Sequence, residues 1–159
     1  MLRLIAICAA ICVAGTLQAQ TNVNLGGITV DTAAAIEVTA DSLSVDQASG
    51  KAVFDGNVII GQGDLRLTAG QVEVIYGTDT SQIARLIATE GVTFVTAQEA
   101  AEAREADYDV TSGLLILTGG VLLTQGPSAI SADQMTINVT DGTAAMDGRV
   151  RTVLQQGDN

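Results

Sequence analysis

An ungapped internal repeat constrains the fold of this chain more than any other feature of its sequence. Residues 49–71 align with residues 112–134 at a constant offset in numbering, 112 − 49 = 63, and eight of the 23 aligned positions are identical. A shorter phrase ending in Val recurs at nearly regular intervals: Asp55-Gly56-Asn57-Val58, Thr89-Glu90-Gly91-Val92, Thr118-Gly119-Gly120-Val121 and Asp147-Gly148-Arg149-Val150. Roughly four copies of a unit of about 30 residues must therefore stack and share one core, because a single copy cannot bury its own apolar face.

Within the copies, apolar and polar residues alternate with the two-residue period of a half-buried β-strand, as in Val72, Val74 and Tyr76. Gly, Asp and Asn separate these runs at turn positions, for example in residues 61–64 and 140–142. The Gly or Asn before the repeated Val suits a bulge or corner, where a strand bends and positive φ is needed. The sequence therefore predicts an all-β fold of many short strands, folded over as a sheet or open roll.

One stretch departs from this alternation. Residues 97–106 read Ala-Gln-Glu-Ala-Ala-Glu-Ala-Arg-Glu-Ala, almost entirely strong helix formers. Tyr108 and Val110 resume the spacing of a strand directly afterwards. We therefore predict a short helical turn within 97–106, between strands.

Residues 1–19 have the pattern of a cleavable secretory signal. A positively charged start precedes an apolar run from Leu4 to Val13, and Ala19 is a small residue suited to signal peptidase. This run is shorter than the roughly 20 residues that span a bilayer, so we expect cleavage rather than an anchor. The mature chain would lack both cysteines, Cys8 and Cys12, and therefore any disulfide. We expect a flexible segment at residues 20–35, one domain at 36–154 and a flexible tail at 155–159.

Composition excludes several classes of function. Without His, the chain has no Ser/His or Cys/His catalytic pair and no His-ligated zinc site. Its 18 acidic and 7 basic residues give a net charge of −11, which argues against nucleic-acid binding. Paired carboxylates, such as Asp107 with Asp109 or Glu99 with Glu102, could serve a glycosidase. With no Trp to stack on a sugar, a solvated face is the better interpretation of these pairs, and we expect no catalytic residue, metal or cofactor.

One face of the alternating strands would line a trough inside the folded sheet. The sequence indicates which side chains face inward, but it leaves open whether the trough is an open groove or an ordinary filled core. The residues expected on this face are Phe54, Val58, Ile60, Leu67, Val72, Val74, Leu86, Val92, Phe94, Tyr108, Leu115, Leu117, Val121, Leu123, Met135 and Ile137.

An ordered series of phrases covers nearly all of the expected mature chain. The phrases are Ile36-x-Val38-x-Ala40-Asp41-x-Leu43, Gly50-Lys51-Ala52-Val53-Phe54-Asp55-Gly56-Asn57-Val58, Leu67-x-Ala69-x-x-Val72-x-Val74-x-Tyr76, Gly113-x-Leu115-x-Leu117-x-Gly119-x-Val121-x-Leu123, Ile130-x-Ala132-Asp133-x-Met135-x-Ile137 and Asp147-Gly148-Arg149-Val150-x-Thr152-Val153-Leu154. Behind a signal peptide, this series resembles the LptA/OstA family of periplasmic lipopolysaccharide transport proteins. The chain departs from the family pattern at Gly70, where the family phrase usually has Asp, and in the helix-prone stretch 97–106.

The resemblance implies a folded antiparallel β-jellyroll, or β-taco, in the periplasm, with no enzymatic activity. Its interior would take the acyl chains of lipid A, so that the trough residues form a lipid-binding groove. It also implies head-to-tail pairing of edge strands, which would build a homo-oligomer between an LptC-like inner-membrane protein and an LptD-like outer-membrane translocon. The residues expected at these edges are Ile36, Val38, Leu43, Val150, Thr152 and Leu154.

Two alternatives from other classes stay open at this point. A structural β-solenoid or filament module with a filled core and no lipid ligand would show the same alternation of apolar residues. A small secreted carboxylate enzyme would instead use the paired acidic residues.

Removal of the signal would change the charge balance to 6 − 18 = −12. A lipid carrier of that charge would hold the phosphates of lipid A outside the trough, because like charges repel.

Overall fold

The computed structural model describes residues 21–23, 33–78 and 82–153. The expected signal peptide, the tail 155–159 and Leu154 lie outside these residues. Within them, thirteen β-strands form one sheet, every strand pair is antiparallel and no helix occurs, so the all-β prediction is confirmed. The strands are β1 (Thr21–Val23), β2 (Glu37–Thr39), β3 (Ser42–Asp46), β4 (Lys51–Gln62), β5 (Leu65–Tyr76), β6 (Ile83–Thr89), β7 (Val92–Val95), β8 (Glu99–Ala103), β9 (Glu105–Asp109), β10 (Leu114–Gln125), β11 (Ser128–Asn138), β12 (Thr143–Asp147) and β13 (Arg151–Val153).

Two long hairpins, β4–β5 and β10–β11, organise the sheet into two halves. In half-sheet A the order is β2, β4, β5, β7, β8, β10, β11 and β13, and the hairpins contribute their turn-proximal halves. In half-sheet B the order is β3, β4, β5, β6, β9, β10, β11, β12 and β1, with the remaining halves of the hairpins. The inner faces of both halves contribute to one core, which gives the folded sheet that the repeat predicts.

The internal repeat corresponds to the two hairpins. Strand β4 covers residues 51–62 and β10 covers 114–125, so both bounds differ by the offset of the repeat. The turn between β10 and β11 contains Pro127, the only proline of the chain, which lies where no ladder hydrogen bond is lost. The two copies therefore use the same hairpin to connect half-sheets A and B.

Each repeated Val phrase lies at a corner between the half-sheets. In β4, Asp55 pairs with Gln71 and Val58 pairs with Ala69, so Gly56 and Asn57 together oppose one residue. Their φ angles are 82° and 47°, in the left-handed region that the sequence predicts for a corner. Asn57 is held in this conformation by a hydrogen bond that its Nδ2 donates to Oδ2 of Asp41, at 2.7 Å. The residues of the repeated phrase therefore set the geometry of the bend.

The helical turn predicted for residues 97–106 is wrong. This stretch forms β8 and β9, which meet at a corner where Arg104 donates its backbone N–H to the carbonyl of Thr118, at 3.0 Å. Both strands pair on each side with neighbours in the sheet, and this pairing outweighs the local helix propensity of Ala and Glu.

The N-terminal segment also contains structure. Within the segment expected to be flexible, residues 20–35, strand β1 pairs with β12 at the C-terminal end of half-sheet B. Strand β2, the next described strand in sequence, lies at the other end of the sheet. The first strand in sequence is therefore a neighbour of the strand before last.

Candidate functional site

The inner face of the folded sheet contains all sixteen residues that the sequence assigns to the trough. Fifteen of them are buried, and Phe54 is partly buried and packs against the same cluster. Phe94, at 0 % exposed, and Val72, also at 0 %, lie in half-sheets A and B respectively. They share one face because side chains of a strand point alternately to its two sides. The structure thus brings the predicted trough residues together in a continuous apolar layer.

The two half-sheets are in close contact in this structure. A cavity of about 20 Å³ remains between them, lined by Ile36, Ile60, Leu67, Leu86, Leu115 and neighbouring side chains. This volume accommodates about one water molecule. The side chains of the half-sheets themselves therefore fill the space between them at this point.

A hydrogen bond joins the half-sheets at this cavity. Tyr108 of β9 donates its hydroxyl to Oε1 of Gln62 in β4, at 3.3 Å. Gln62, only 2 % exposed, donates in turn from Nε2 to the carbonyl of Ala34, also at 3.3 Å. Burial, helped by the negative charge of Asp109, raises the pKa of Tyr108 and keeps its hydroxyl a donor. Gln62 thus links half-sheet A, half-sheet B and the segment before β2.

A second polar pair lies on the inner face of half-sheet A. Glu99 of β8 is 4 % exposed, and its Oε1 accepts a hydrogen bond of 2.7 Å from Nε2 of Gln125 in β10. Its other oxygen, Oε2, is buried and has no hydrogen-bond partner among the described residues. Burial raises the pKa of the Glu99 carboxyl, and the bond from Gln125 opposes this shift.

The structure places differently the two carboxylate pairs that the sequence offers for acid–base chemistry. Glu99 points to the inner face of β8, whereas Glu102 is exposed on the outer face. Asp107 and Asp109 both lie on the outer face of β9, where Asp107 forms an ion pair with Arg85. A hydrogen bond from the backbone N–H of Ser112 lowers the pKa of Asp109. Only the first pair is therefore divided between the two faces of the sheet, and in the second pair Asp107 already has a cationic partner.

Sequence reasoning missed Gln62, Gln125 and the burial of Glu99, because it sought apolar residues for the inner face. A signal for the first two exists in the repeat. Gln62 and Gln125 are one of the eight identical pairs of the internal repeat. A polar side chain retained at the same point of both copies indicates a shared place in the fold.

The expected edge residues lie near three unpaired strand edges. β2, which contains Val38, and β3, which contains Leu43, each pair only with β4 within the described chain. β13 contains Thr152 and pairs only with β11. Val150 precedes β13 and is exposed, whereas Ile36 precedes β2 and lines the small cavity. The N-terminal end thus presents the free edges of β2 and β3, and the C-terminal end presents those of β13 and of β1, which pairs only with β12 within the described chain.

Two other kinds of feature, a metal site and a membrane-spanning helix, concern the described residues. No group of three or more Cys, Asp or Glu residues there is arranged to hold a metal ion. The same part of the chain contains no helix long and apolar enough to cross a membrane.

Comparison with known proteins gives a family and a fold. A family model described as LptA/(LptD N-terminal domain) LPS transport protein matches residues 37–143. The lipopolysaccharide export system protein LptA of Escherichia coli (strain K12) is 29% identical over 121 residues, which cover 72% of this chain and 65% of that protein. Uncharacterized protein R00383 of Rhizobium meliloti (strain 1021) is 28% identical over 157 residues, covering 92% of this chain and 84% of that protein.

A solved structure shares the folded sheet. LptH of Pseudomonas aeruginosa is described as the LptA homologous periplasmic component of the conserved lipopolysaccharide transport device. Its crystal structure superposes with a TM-score of 0.72 at 18% identity, over 80% of this chain and 99% of that one. At this identity the likeness establishes the fold, the β-jellyroll expected from the sequence. The match to the family model extends over more than half of the sequence, and on that ground the chain belongs to the LptA/(LptD N-terminal domain) family of LPS transport proteins.

Proposed function

We propose that this protein carries lipopolysaccharide through the periplasm, with the acyl chains of lipid A held between half-sheets A and B. The observation that supports this most is the continuous apolar inner face, which extends from β4 at one end of the sheet to β12 at the other. Each buried CH₂ group contributes about 0.8 kcal/mol, so several acyl chains bind strongly without a charged grip. Separation of the half-sheets exposes this face to the lipid. The contacts that the half-sheets lose with each other are replaced by contacts with the acyl chains.

Charge determines where the polar part of the lipid lies in this proposal. The chain has 18 acidic and 7 basic residues, and three of the basic ones, Lys51, Arg85 and Arg149, are already in ion pairs on the surface. A negative protein body repels phosphate groups. The headgroup therefore projects from the trough, while the acyl chains lie inside it.

We also propose head-to-tail assembly through the free edges. β2 and β3 of one protomer would pair with the C-terminal edge of the next, extending the trough from protomer to protomer. Such a row would run from an LptC-like protein at the inner membrane to an LptD-like translocon at the outer membrane. The exposed side chains at both ends, including Leu43, Val45 and Val153, would be covered in the row.

One observation favours a second candidate function. The small volume left between the half-sheets is what a structural β-solenoid or filament module with a filled core would have. Such a module would use the same edges for assembly but would bind no lipid. The two functions differ in whether the inner face ever contacts lipopolysaccharide.

Photocrosslinking in cells distinguishes these functions. A photoreactive residue placed at Phe94 or at Val121, which is 1 % exposed, should form an adduct with lipopolysaccharide that is detectable by immunoblot. The same residue at Ile59, exposed on the outer face of β4, is the matched control and should form little adduct. Absence of lipopolysaccharide from every interior position would reject the carrier function and leave the filled module.

A further inference from the structure

Glu99 is an exception on an otherwise apolar face. Along β8, Glu99 and Ala101 point inward, and Ala101 pairs with Phe94 on one side and with Leu123 on the other. Glu99 and Gln62 are the buried polar side chains among the described residues. An ionisable group in such surroundings is costly to keep unless a partner compensates its desolvation.

Among the described residues, a hydrogen-bond donor reaches only one of the two carboxyl oxygens of Glu99. Gln125 donates to Oε1, while Oε2 is left as a buried acceptor with no donor among the described residues. A buried acceptor without a donor retains its full desolvation penalty. A ligand that brings a donor to Oε2 therefore gains more from that hydrogen bond than it would at an exposed carboxylate.

The other copy of the repeat shows that the fold itself does not require this carboxyl group. The pairing of Ala101 with Leu123 in β8 and β10 corresponds, in the first copy, to the pairing of Val38 with Ile60 in β2 and β4. By the same offset, the position equivalent to Glu99 is Ile36, an apolar residue that lines the cavity. An aliphatic side chain thus fills the same place beside the equivalent glutamine.

The location of the pair matches the boundary between the apolar and polar parts of a lipid. Gln125 is the last residue of β10 and directly precedes the turn at Gly126 and Pro127. Glu99 is the first residue of β8 and pairs with Gln125. The two side chains therefore lie on the inner face at the rim of half-sheet A, where the polar end of a lipid with its acyl chains inside would emerge.

We propose that Glu99 and Gln125 form a polar subsite in the trough, where Oε2 of Glu99 accepts a hydrogen bond from a neutral donor of the lipid cargo. The donor is an amide N–H or hydroxyl group next to an acyl chain. The inference rests on the proposed carrier function, since the subsite is reached only by a molecule between the half-sheets. It gives the trough a fixed point that sets the depth and register of the lipid, which apolar burial alone does not specify.

Two synthetic lipids that differ by one donor test the subsite. N-methylmyristamide has an amide N–H, whereas N,N-dimethylmyristamide has none and has one methyl group more. Burial alone therefore favours the second lipid, so a preference for the first reports the hydrogen bond. Binding of both, and of purified lipopolysaccharide, would be measured by displacement of a fluorescent fatty acid from the full mature chain.

The wild-type protein should bind N-methylmyristamide about tenfold more tightly than its dimethyl analogue, the size of a charge-assisted hydrogen bond. Glu99→Leu should abolish this preference and weaken lipopolysaccharide binding. Glu99→Gln keeps the shape but, while its oxygen accepts from Gln125, places an NH₂ donor where Oε2 lies, so it should also lose the preference, and the test stands even if the leucine variant fails to fold. Glu102→Leu, on the outer face of the same strand, is the matched control and should bind like the wild type.

The outcomes separate the subsite from the carrier function. If the wild-type protein binds lipopolysaccharide but does not prefer the N–H lipid, or if folded Glu99→Leu binds lipopolysaccharide as the wild type does, the subsite is rejected and the carrier stands. If the wild-type protein binds neither lipopolysaccharide nor the two amides, the carrier function fails and the subsite fails with it.

Discussion

Tyr108 of half-sheet B donates its phenolic hydroxyl to Gln62 of half-sheet A, a hydrogen bond of 3.3 Å between two buried side chains. It spans the space that an acyl chain would occupy in the proposed carrier. Gln62 also bonds to the carbonyl of Ala34, so the segment before β2 is tied to the same point. The bond therefore closes the trough at its N-terminal end, and its loss should favour opening there.

Tyr108→Phe should loosen this closure without changing the packing of the ring. The variant should lower the free energy of unfolding by about 1 kcal/mol, the usual net contribution of one hydrogen bond. Amide hydrogens of β4 and β9 should exchange faster, and lipopolysaccharide should load faster in the proposed carrier. Urea unfolding and hydrogen–deuterium exchange measure the first two effects. Tyr76→Phe, at the other tyrosine of the chain, is the control, and equal effects from both variants would contradict a specific closure by Tyr108.

The corner at Gly119 and Gly120 allows a test of what the repeated phrase contributes. Both residues have positive φ, 89° and 85°. A Cβ added at Gly119 would lie 2.6 Å from Cβ of Arg104, whereas one at Gly120 would meet nothing within 4 Å. Gly120→Ala should therefore cost only the strain of a left-handed alanine, about 1 kcal/mol, and Gly119→Ala should cost clearly more. Urea unfolding of both variants measures the difference, and equal losses would show that the close approach at Arg104 relaxes without cost.

The parts of the fold that could be predicted depend on local patterns that repeat. Alternation places Phe94 and Val121 on the inner face correctly, because the two-residue period of a strand matches the period of the sequence. The corner phrases can also be recognised in the sequence, since Gly56 and its counterparts have the positive φ that few residue types other than Gly and Asn adopt. These signals are contained in a few neighbouring residues, so one sequence is enough to detect them.

The misinterpreted parts depend on distant partners. Glu99 and Ala101 favour a helix when only their neighbours in sequence are considered, yet Ala101 is fixed by pairing with β7 and β10, and Glu99 by pairing with β10. The bond between Gln62 and Tyr108 joins residues 46 positions apart and has no local signature. The width of the trough could not be predicted either, because alternation is the same whether the facing half-sheets touch or stand apart.

Glu99 should make the stability of the protein depend on pH in a characteristic direction. Burial raises the pKa of its carboxyl in the folded state, so the folded protein holds this proton more tightly than the unfolded chain does. Its ionisation therefore destabilises the fold as pH rises through the folded pKa, and this loss is absent below the ordinary pKa of Glu, about 4.3. Glu99→Gln removes the ionisation while keeping the shape of the side chain.

At about pH 7.5, Glu99→Gln should be more stable than the wild type, and this advantage should shrink as the pH falls toward about 4.5. Other carboxyls make the fold more stable as pH rises, in both proteins. Asp133 is an example, because its hydrogen bond from Arg149 lowers its pKa. Their effects cancel in the difference between the two proteins. Urea unfolding of each protein at both pH values measures that difference, and an advantage independent of pH would mean that Glu99 is not ionised at neutral pH.

The proposed head-to-tail assembly should depend on the free edges rather than on exposed apolar surface in general. At the C-terminal end, β13 is the free edge of half-sheet A within the described chain, and β1, which pairs only with β12, is the free edge of half-sheet B. Val153 of β13 is 50% exposed, and Val45 of β3, at the other end, is 59% exposed. Val153→Lys or Val45→Lys should each weaken self-association by about tenfold, because a charge on an edge strand opposes pairing with another chain.

Ile59→Lys is the matched control for these two variants, because Ile59 is similarly exposed, at 47%, but lies on a strand paired on both sides. Analytical ultracentrifugation across a range of concentrations would give the association constant of each protein. The edge variants should sediment as smaller species than the wild type at the same concentration, and the control should not. If Ile59→Lys weakens association as much as the edge variants do, the copies meet through the outer face of the sheet, and strand pairing at the edges is not how they assemble.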